Sequence, residues 1–177
     1  MAGLLLLIGV SPLAGCAALS GRFSRTVPGT PLERSGREDP ALSGNGRLLA
    51  SVVERGGRPT VMLQEQASGR LLRLRHLRRH QPHSSPSLSW NGRYLAALVQ
   101  QGSRRVAIIE DRLSGRLHRL PLPGDREPER LSLSPDARRL ALEVVQGGRR
   151  RIQVIDLGAL LEPDLPGGTA AVGSGGP

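Results

Sequence analysis

Residues 40–74 read PALSGNGRLLASVVERGGRPTVMLQEQASGRLLRL, and residues 86–120 read PSLSWNGRYLAALVQQGSRRVAIIEDRLSGRLHRL. The two stretches align without a gap at an offset of 46, and about half of their positions are identical. A third, degraded copy, residues 131–157, reads LSLSPDARRLALEVVQGGRRRIQVIDL. Self-similarity with a period in the mid-forties indicates repeated supersecondary units, which bury their apolar faces against one another.

Within each copy, short apolar runs alternate with turn signals. In the first copy, the runs at 48–53, 60–63 and 71–74 are separated by the pairs Gly56-Gly57 and Ser68-Gly69. A shorter run at Leu42 precedes them. The pattern predicts four short antiparallel strands and three tight turns in each copy, and it gives little support to long helices.

The first turn of each copy carries its own prediction. Asn45-Gly46 favours a type I′ turn, in which both central residues have a positive φ. In the third copy the turn reads Ser134-Pro135-Asp136-Ala137. There Pro135 suits the second position of a turn, and Asp136 is a residue type that tolerates the left-handed conformation.

The runs P-x-L-S-x-N-G-R-x-L-A, which start at Pro40 and Pro86, and S-P-D-A-R-R-L-A, which starts at Ser134, carry a family resemblance. They resemble the WD40-like repeat of TolB-type β-propellers, although the usual aromatic strand position is leucine in all three copies. The resemblance implies an all-β, partial β-propeller of about three four-stranded antiparallel blades, at 40–74, 86–120 and 131–162. It also implies protein partners that are contacted through loops at one face.

Three blades do not close a ring, because closed propellers usually have about four to eight. The last strand of the third blade would have to come from residues 159–161 or from the N-terminal segment. Two arrangements therefore stay open: a homo-oligomer in which two halves complete a six-blade ring, or an open three-sheet stack covered by its flanks.

The N-terminus reads MAGLLLLIGVSPLAGC. Its apolar run is too short to span a bilayer and fits a secretory signal peptide, although the first basic residue is Arg22. The ending Leu13-Ala14-Gly15-Cys16 resembles the lipobox of bacterial lipoproteins, which implies lipidation (palmitate) of Cys16 after removal of residues 1–15. A buried thiol is the alternative. We expect a tether at 16–39, a disordered tail at 163–177, and a lipid anchor on the periplasmic side of a bacterial membrane.

The formal net charge is +10, and all 25 basic residues are arginine. Arginine recurs at fixed repeat positions, which is consistent with a solvated strand face or with a surface for anions. In an envelope protein those anions would be lipid headgroups, glycan phosphates or an acidic protein, since arginine pairs bidentately with phosphate and carboxylate. Phe23, Trp90 and Tyr94 are too few aromatics for base stacking, which argues against nucleic acid.

Candidate catalytic chemistry is sparse. His76 and His80 could share a helix face and hold a metal with His83, but Pro82 interrupts the segment and no carboxylate or cysteine accompanies it. The G-x-S-x-G and phosphate-loop motifs are absent from the sequence. The repeated serines are expected to bond locally to the backbone: Ser43, Ser89 and Ser134. We predict no cofactor, no metal and no enzymatic activity.

The sequence predicts a non-catalytic envelope lipoprotein whose propeller repeats act as a protein-binding or scaffold module. The inter-blade connections 75–85 and 121–130 are the predicted partner surface. Its candidate residues are His76, Arg78, Arg79, His80, His83 and Arg126. Two alternatives stay open: a propeller-type hydrolase or metal-dependent enzyme, and an arginine-rich binder of anions or nucleic acid.

Overall fold

A computed structural model of the chain describes residues 36–77 and 81–166. This part of the chain forms antiparallel sheets and contains no helix long and apolar enough to cross a membrane. Its strands are β1 Arg37–Leu42, β2 Leu48–Glu54, β3 Pro59–Glu65, β4 Leu71–Leu72, β5 His83–Leu88, β6 Tyr94–Gln101, β7 Arg104–Asp111, β8 Leu117–Leu120, β9 Glu127–Leu133, β10 Arg139–Gln146 and β11 Arg149–Asp156.

The strands form three sheets, one for each sequence repeat. The first two sheets have four strands each, in the orders β1-β2-β3-β4 and β5-β6-β7-β8, and the third has the order β11-β10-β9. The predicted all-β, blade-like architecture is confirmed. Residues 159–161 do not supply a fourth strand to the third sheet, because residues 158–160 form a turn after β11. The other expected source, the N-terminal segment before residue 36, lies outside the described residues.

Each sheet begins three or four residues before the expected position, at Arg37, His83 and Glu127. The reason is a break in strand pairing. In β1 and β5 the register shifts between Glu38 and Ala41 and between Ser84 and Ser87. Asp39 and Ser85, at equivalent repeat positions, have left-handed φ values of 49° and 50° at these bulges. A bulge disrupts the apolar alternation by which strands are recognised in a sequence.

Two apolar clusters hold the sheets together. Because side chains alternate across a strand, β6 contributes to both clusters. Leu95, Ala97 and Val99 face the first sheet, whereas Tyr94, Ala96 and Leu98 face the third. Burying a leucine side chain contributes on the order of 2 kcal/mol, so the second sheet is stabilised from both sides. The sheets are therefore stacked side by side, as the repeat predicts.

The inner turns, which join the first two strands of each sheet, differ from the expected type I′ geometry. Gly46 has a φ of 70°, but Asn45 does not have a positive φ, and the Gly46 N–H donates to the Ser43 carbonyl (2.8 Å). In the third sheet the left-handed residue is Ala137 (φ 61°) rather than Asp136. Both observations fit a type I turn that ends in a left-handed residue, a common form of hairpin loop.

Candidate binding surfaces

The three inner turns stack on one another. The Asn45 N–H donates to the Trp90 carbonyl (3.0 Å), and the Trp90 N–H donates to the Pro135 carbonyl (2.6 Å). A side chain at Gly44 would collide with the indole ring of Trp90. Glycine at position 44 therefore allows the second turn to approach the first.

The repeated serines organise these turns, as predicted. Ser43, Ser89 and Ser134 each accept a hydrogen bond at Oγ from the backbone N–H five residues later, at 2.9–3.0 Å. In the first and third turns the serine hydroxyl also donates to the turn's own Asn45 (2.8 Å) or Asp136 (2.5 Å). These hydroxyls thus have a structural role.

The second turn uses a residue from the C-terminal segment instead. The Ser89 hydroxyl donates to Oδ2 of Asp164 (2.5 Å), and the backbone N–H of Asn91 donates to the same oxygen (2.8 Å). The Asn91 amide donates to Oδ1 (2.9 Å). Asp164 is 5% exposed, and its N–H donates to the Asp136 carbonyl (3.0 Å). The expectation of a disordered tail from residue 163 is therefore wrong for residues 163–166.

An ion-pair cluster lies beside this carboxylate. The Arg93 guanidinium donates to both carboxylate oxygens of Asp111 (3.3 and 3.1 Å) and to Glu162 (2.7 Å). Burial alone would raise the pKa of Asp111. Hydrogen bonds from Arg93 and from the N–H groups of Leu113 and Ser114 outweigh burial and lower this pKa to about 2. The same pairing raises the pKa of Arg93.

The connection between the first two sheets is anchored rather than solvated at its start. The backbone N–H groups of Arg75 and His76 donate to the buried carboxylate of Glu110 (3.0 and 2.8 Å). The His76 Nε2 lies 2.8 Å from the Gly115 carbonyl oxygen. Glu110 therefore fixes the position at which the chain leaves the first sheet.

The other candidate residues are spread over different environments. His83 begins β5, is 1% exposed, and accepts a hydrogen bond at Nδ1 from the Val61 N–H (3.2 Å), so its side chain is not on a loop surface. Arg126 is half-buried and donates to Gln153 (3.4 Å). Cys16 and the segment 78–80, which contains Arg78, Arg79 and His80, lie outside the described residues.

Two grooves occupy equivalent positions on the first two sheets. The first has a volume of about 700 Å³ and the second about 360 Å³. The lining residues at equivalent repeat positions are Arg55 and Gln101, Thr60 and Val106, Arg73 and Arg119, Leu74 and Leu120, and Arg75 and Pro121. The repeat thus places an apolar floor edged by guanidinium groups at the same place on both sheets.

Several groove arginines are available for an external anion. Arg55, Arg73 and Arg75 in the first groove, and Arg119 in the second, form no ion pair with any described residue. By contrast, Arg105 of the second groove pairs with Glu127 (3.1 Å). Among residues 36–77 and 81–166, no group of three or more His, Cys, Asp or Glu side chains could hold a metal ion.

Comparison with solved structures places the fold. TolB from Acinetobacter baumannii is 17% identical, with a TM-score of 0.56 over 68% of this chain and 30% of that chain. A putative TolB from Agrobacterium tumefaciens is 14% identical, with a TM-score of 0.57 over 70% and 46%. The β-propeller domain of the Trilobed protease from Pyrococcus furiosus is 13% identical, with a TM-score of 0.56 over 73% and 41%.

These similarities show that the chain has the fold of β-propeller blades. More particularly, its fold is that of a TolB-like β-propeller. The match covers less than half the length of each of these three neighbours. No family model matches the chain, and no curated protein matches it.

Proposed function

We propose that this protein is a lipid-anchored lipoprotein of the bacterial cell envelope whose TolB-like blades bind an acidic partner protein. The observation that carries the proposal is the pair of equivalent arginine-edged grooves. Arginine on an apolar floor is a favourable arrangement for an interface, because the guanidinium group pairs bidentately with carboxylates and its stem packs against apolar surface.

The lipid anchor is supported by the sequence ending Leu13-Ala14-Gly15-Cys16 and by the absence of any other cysteine from the chain. Radiolabelled palmitate tests it directly. The wild-type protein should incorporate label when it is expressed in a bacterium, and the Cys16→Ser variant should not. Equal labelling of both proteins would contradict the anchor and leave partner binding to be tested separately.

The grooves can be tested by charge reversal. The double variant Arg73→Glu, Arg119→Glu should lower recovery of the cross-linked partner from a bacterial envelope extract at least tenfold. Arginine is enriched among the few interface residues whose loss weakens binding by about 2 kcal/mol or more. Point substitutions are preferable to deletion of residues 75–85, because that deletion removes the anchor to Glu110 and the buried His83.

The matched control is the double variant Arg70→Glu, Arg116→Glu. These two arginines are also exposed and repeat-equivalent, but they do not line either groove. Both double variants change the net charge by the same amount. A specific groove interaction predicts normal recovery for the control, whereas equal losses in both variants would show a non-specific charge effect and contradict the groove.

A further inference from the structure

The third sheet differs from the other two at its outer edge. β3 and β7 each pair with a fourth strand, whereas β11 is the terminal strand of its sheet in the described part of the chain. β11 has eight residues, Arg149–Asp156, without proline or glycine. A long edge strand of this kind presents backbone N–H and C=O groups that can pair with another strand.

The outer face of this sheet is charged along β10 and apolar along β11. The second sheet packs on the third with Tyr94 and Leu98 of β6, and the equivalent positions of β10 are Arg139 and Glu143. Ile152 and Val154 of β11 lie on the same outer face, because they pair with Glu143 and Ala141. The exposed large apolar side chains of this face therefore lie on the edge strand.

The exposed side chains of β11 form a self-complementary series. Ile152 and Val154 are 69% and 61% exposed, and they lie on one face of the strand between Arg150 and Asp156. Read along that face, the order is positive, apolar, apolar, negative. An antiparallel copy reverses the order, so that each position meets a side chain that complements it.

One register achieves this match. When residue 153 of each copy lies opposite itself, Arg150 faces Asp156 of the second copy, and Ile152 faces its Val154. Both pairs occur twice by symmetry, as required for an interface with a two-fold axis. Opposite residues on antiparallel strands have Cβ atoms about 4.5–5.5 Å apart, which is close enough for both kinds of contact.

We propose that β11 is a dimerisation edge at which two copies of this chain pair antiparallel, joining their third sheets into one six-stranded sheet. The occupant of the edge is thus a second copy of the chain. The proposal is independent of the partner grooves, which lie on the first two sheets. It also differs from closure of a six-blade ring, in which sheet faces rather than sheet edges would meet.

The register is tested by cysteine cross-linking in the full-length chain carrying Cys16→Ser, which removes the single native cysteine. With Gln153→Cys added, mild oxidation in detergent should give a disulfide-linked dimer as the main product. The matched control is Arg151→Cys on the same strand face. Its two copies would lie four residues apart along the strand, about 13 Å, and should remain monomeric. No dimer from Gln153→Cys, or equal dimer from both variants, would overturn the proposal.

The apolar pair is tested by sedimentation equilibrium in density-matched detergent. The variant Ile152→Lys, Val154→Lys places like charges opposite each other across the dimer and should weaken association at least tenfold. Within its own sheet, position 152 lies opposite Glu143, which favours a lysine there. The variant Ile152→Lys, Val154→Glu restores opposite charges and should dimerise.

Two results complete this test. Leu113 lies in the turn between β7 and β8 and is 75% exposed. The variant Leu113→Lys, which is distant in sequence from β11, should leave the dimer mass unchanged. Circular dichroism of all variants should be that of the parent chain, since the substituted side chains are exposed. A parent chain that sediments as a monomer, or a Lys/Lys variant that associates as strongly as the parent, would overturn the proposal.

Discussion

Each of the three inner turns ends in a residue with a left-handed φ, and these residues are Gly46, Gly92 and Ala137. We predict that Gly92→Ala destabilises the protein much more than Gly46→Ala. A Cβ at residue 92 would lie 2.5 Å from Cδ1 of Leu48, which is itself buried, whereas nothing lies within 4 Å of a Cβ at residue 46. Left-handed strain costs about 1–2 kcal/mol at either position. Overpacking should add about 1–3 kcal/mol at residue 92.

The free energy of unfolding in urea measures both changes. Gly46→Ala is the internal control, because it introduces the same strain without the collision. If the two variants are equally unstable, the contact between Gly92 and Leu48 does not limit the approach of the first two sheets.

Asp111 makes the stability of the protein dependent on pH. Its pKa falls from an ordinary value of 3.8 to about 2 in the folded chain. Because the folded pKa is the lower one, the stabilisation is complete above about pH 4 and is lost as the pH falls toward 2. The shift corresponds to about 2 kcal/mol. Asp111→Asn should lose this amount at pH 6.

The measurement is the urea unfolding free energy of the wild type and Asp111→Asn at pH 6 and at pH 2.5. The difference between the two proteins should be largest at pH 6 and should shrink at pH 2.5, where the carboxylate of the unfolded wild type is protonated. A difference that stays constant with pH would show that the ion pair with Arg93 is not its source.

Single residues also show what the sequence could and could not predict. The recurrence of serine before the inner turns predicted the local hydroxyl-to-backbone bonds, because both partners lie within five residues. The role of Asp164 could not be predicted. Its partners Ser89 and Asn91 are more than 70 residues away, and the surrounding prolines and glycines indicate a loose tail.

Among the elements, the C-terminal segment 162–166 is joined to the second inner turn by the side chain of Asp164. Asp164→Ala should destabilise the protein by about 1–3 kcal/mol, because Ser89 and Asn91 then lose their shared acceptor. Hydrogen exchange at the Asn91 amide should accelerate in parallel, and the segment should become sensitive to protease.

The control for this element is Glu162→Ala. Glu162 also contacts the second sheet, through Arg93, but its side chain is 77% exposed. Exposed ion pairs typically contribute less than about 1 kcal/mol. Equal effects from Glu162→Ala and Asp164→Ala would mean that the buried carboxylate does not hold the segment in place.

The strands themselves were predictable to different degrees. β2, β3, β6 and β7 are central strands that contain apolar runs bounded by turn signals, and the sequence placed them correctly. The first strand of each sheet, β1, β5 or β9, was predicted too short. The reason is that a register shift interrupts the pairing of each of these strands with its neighbour. The sequence could not show that residues 159–161 form a turn rather than a fourth strand of the third sheet, since short apolar runs occur in turns as well as in strands.

At the scale of the molecule, the second sheet is the central one of the three sheets that residues 36–77 and 81–166 form. It shares one apolar cluster with the first sheet and another with the third. Repeat proteins built from such neighbour contacts have a stability that is approximately the sum of unit and interface contributions. A substitution that weakens the packing at one interface should therefore accelerate hydrogen exchange more in the terminal sheet on that side than in the terminal sheet on the other side.

Two matched leucines test this expectation. Leu63 lies in the cluster between the first two sheets and Leu142 in the cluster between the last two, and both are fully buried. Replacing either with alanine should cost about 2–5 kcal/mol. Hydrogen exchange should accelerate most in β2 and β3 for Leu63→Ala, and most in β10 and β11 for Leu142→Ala. If instead both variants accelerate exchange equally across all three sheets, the blades unfold as one cooperative unit, and the neighbour-by-neighbour description of the stack fails.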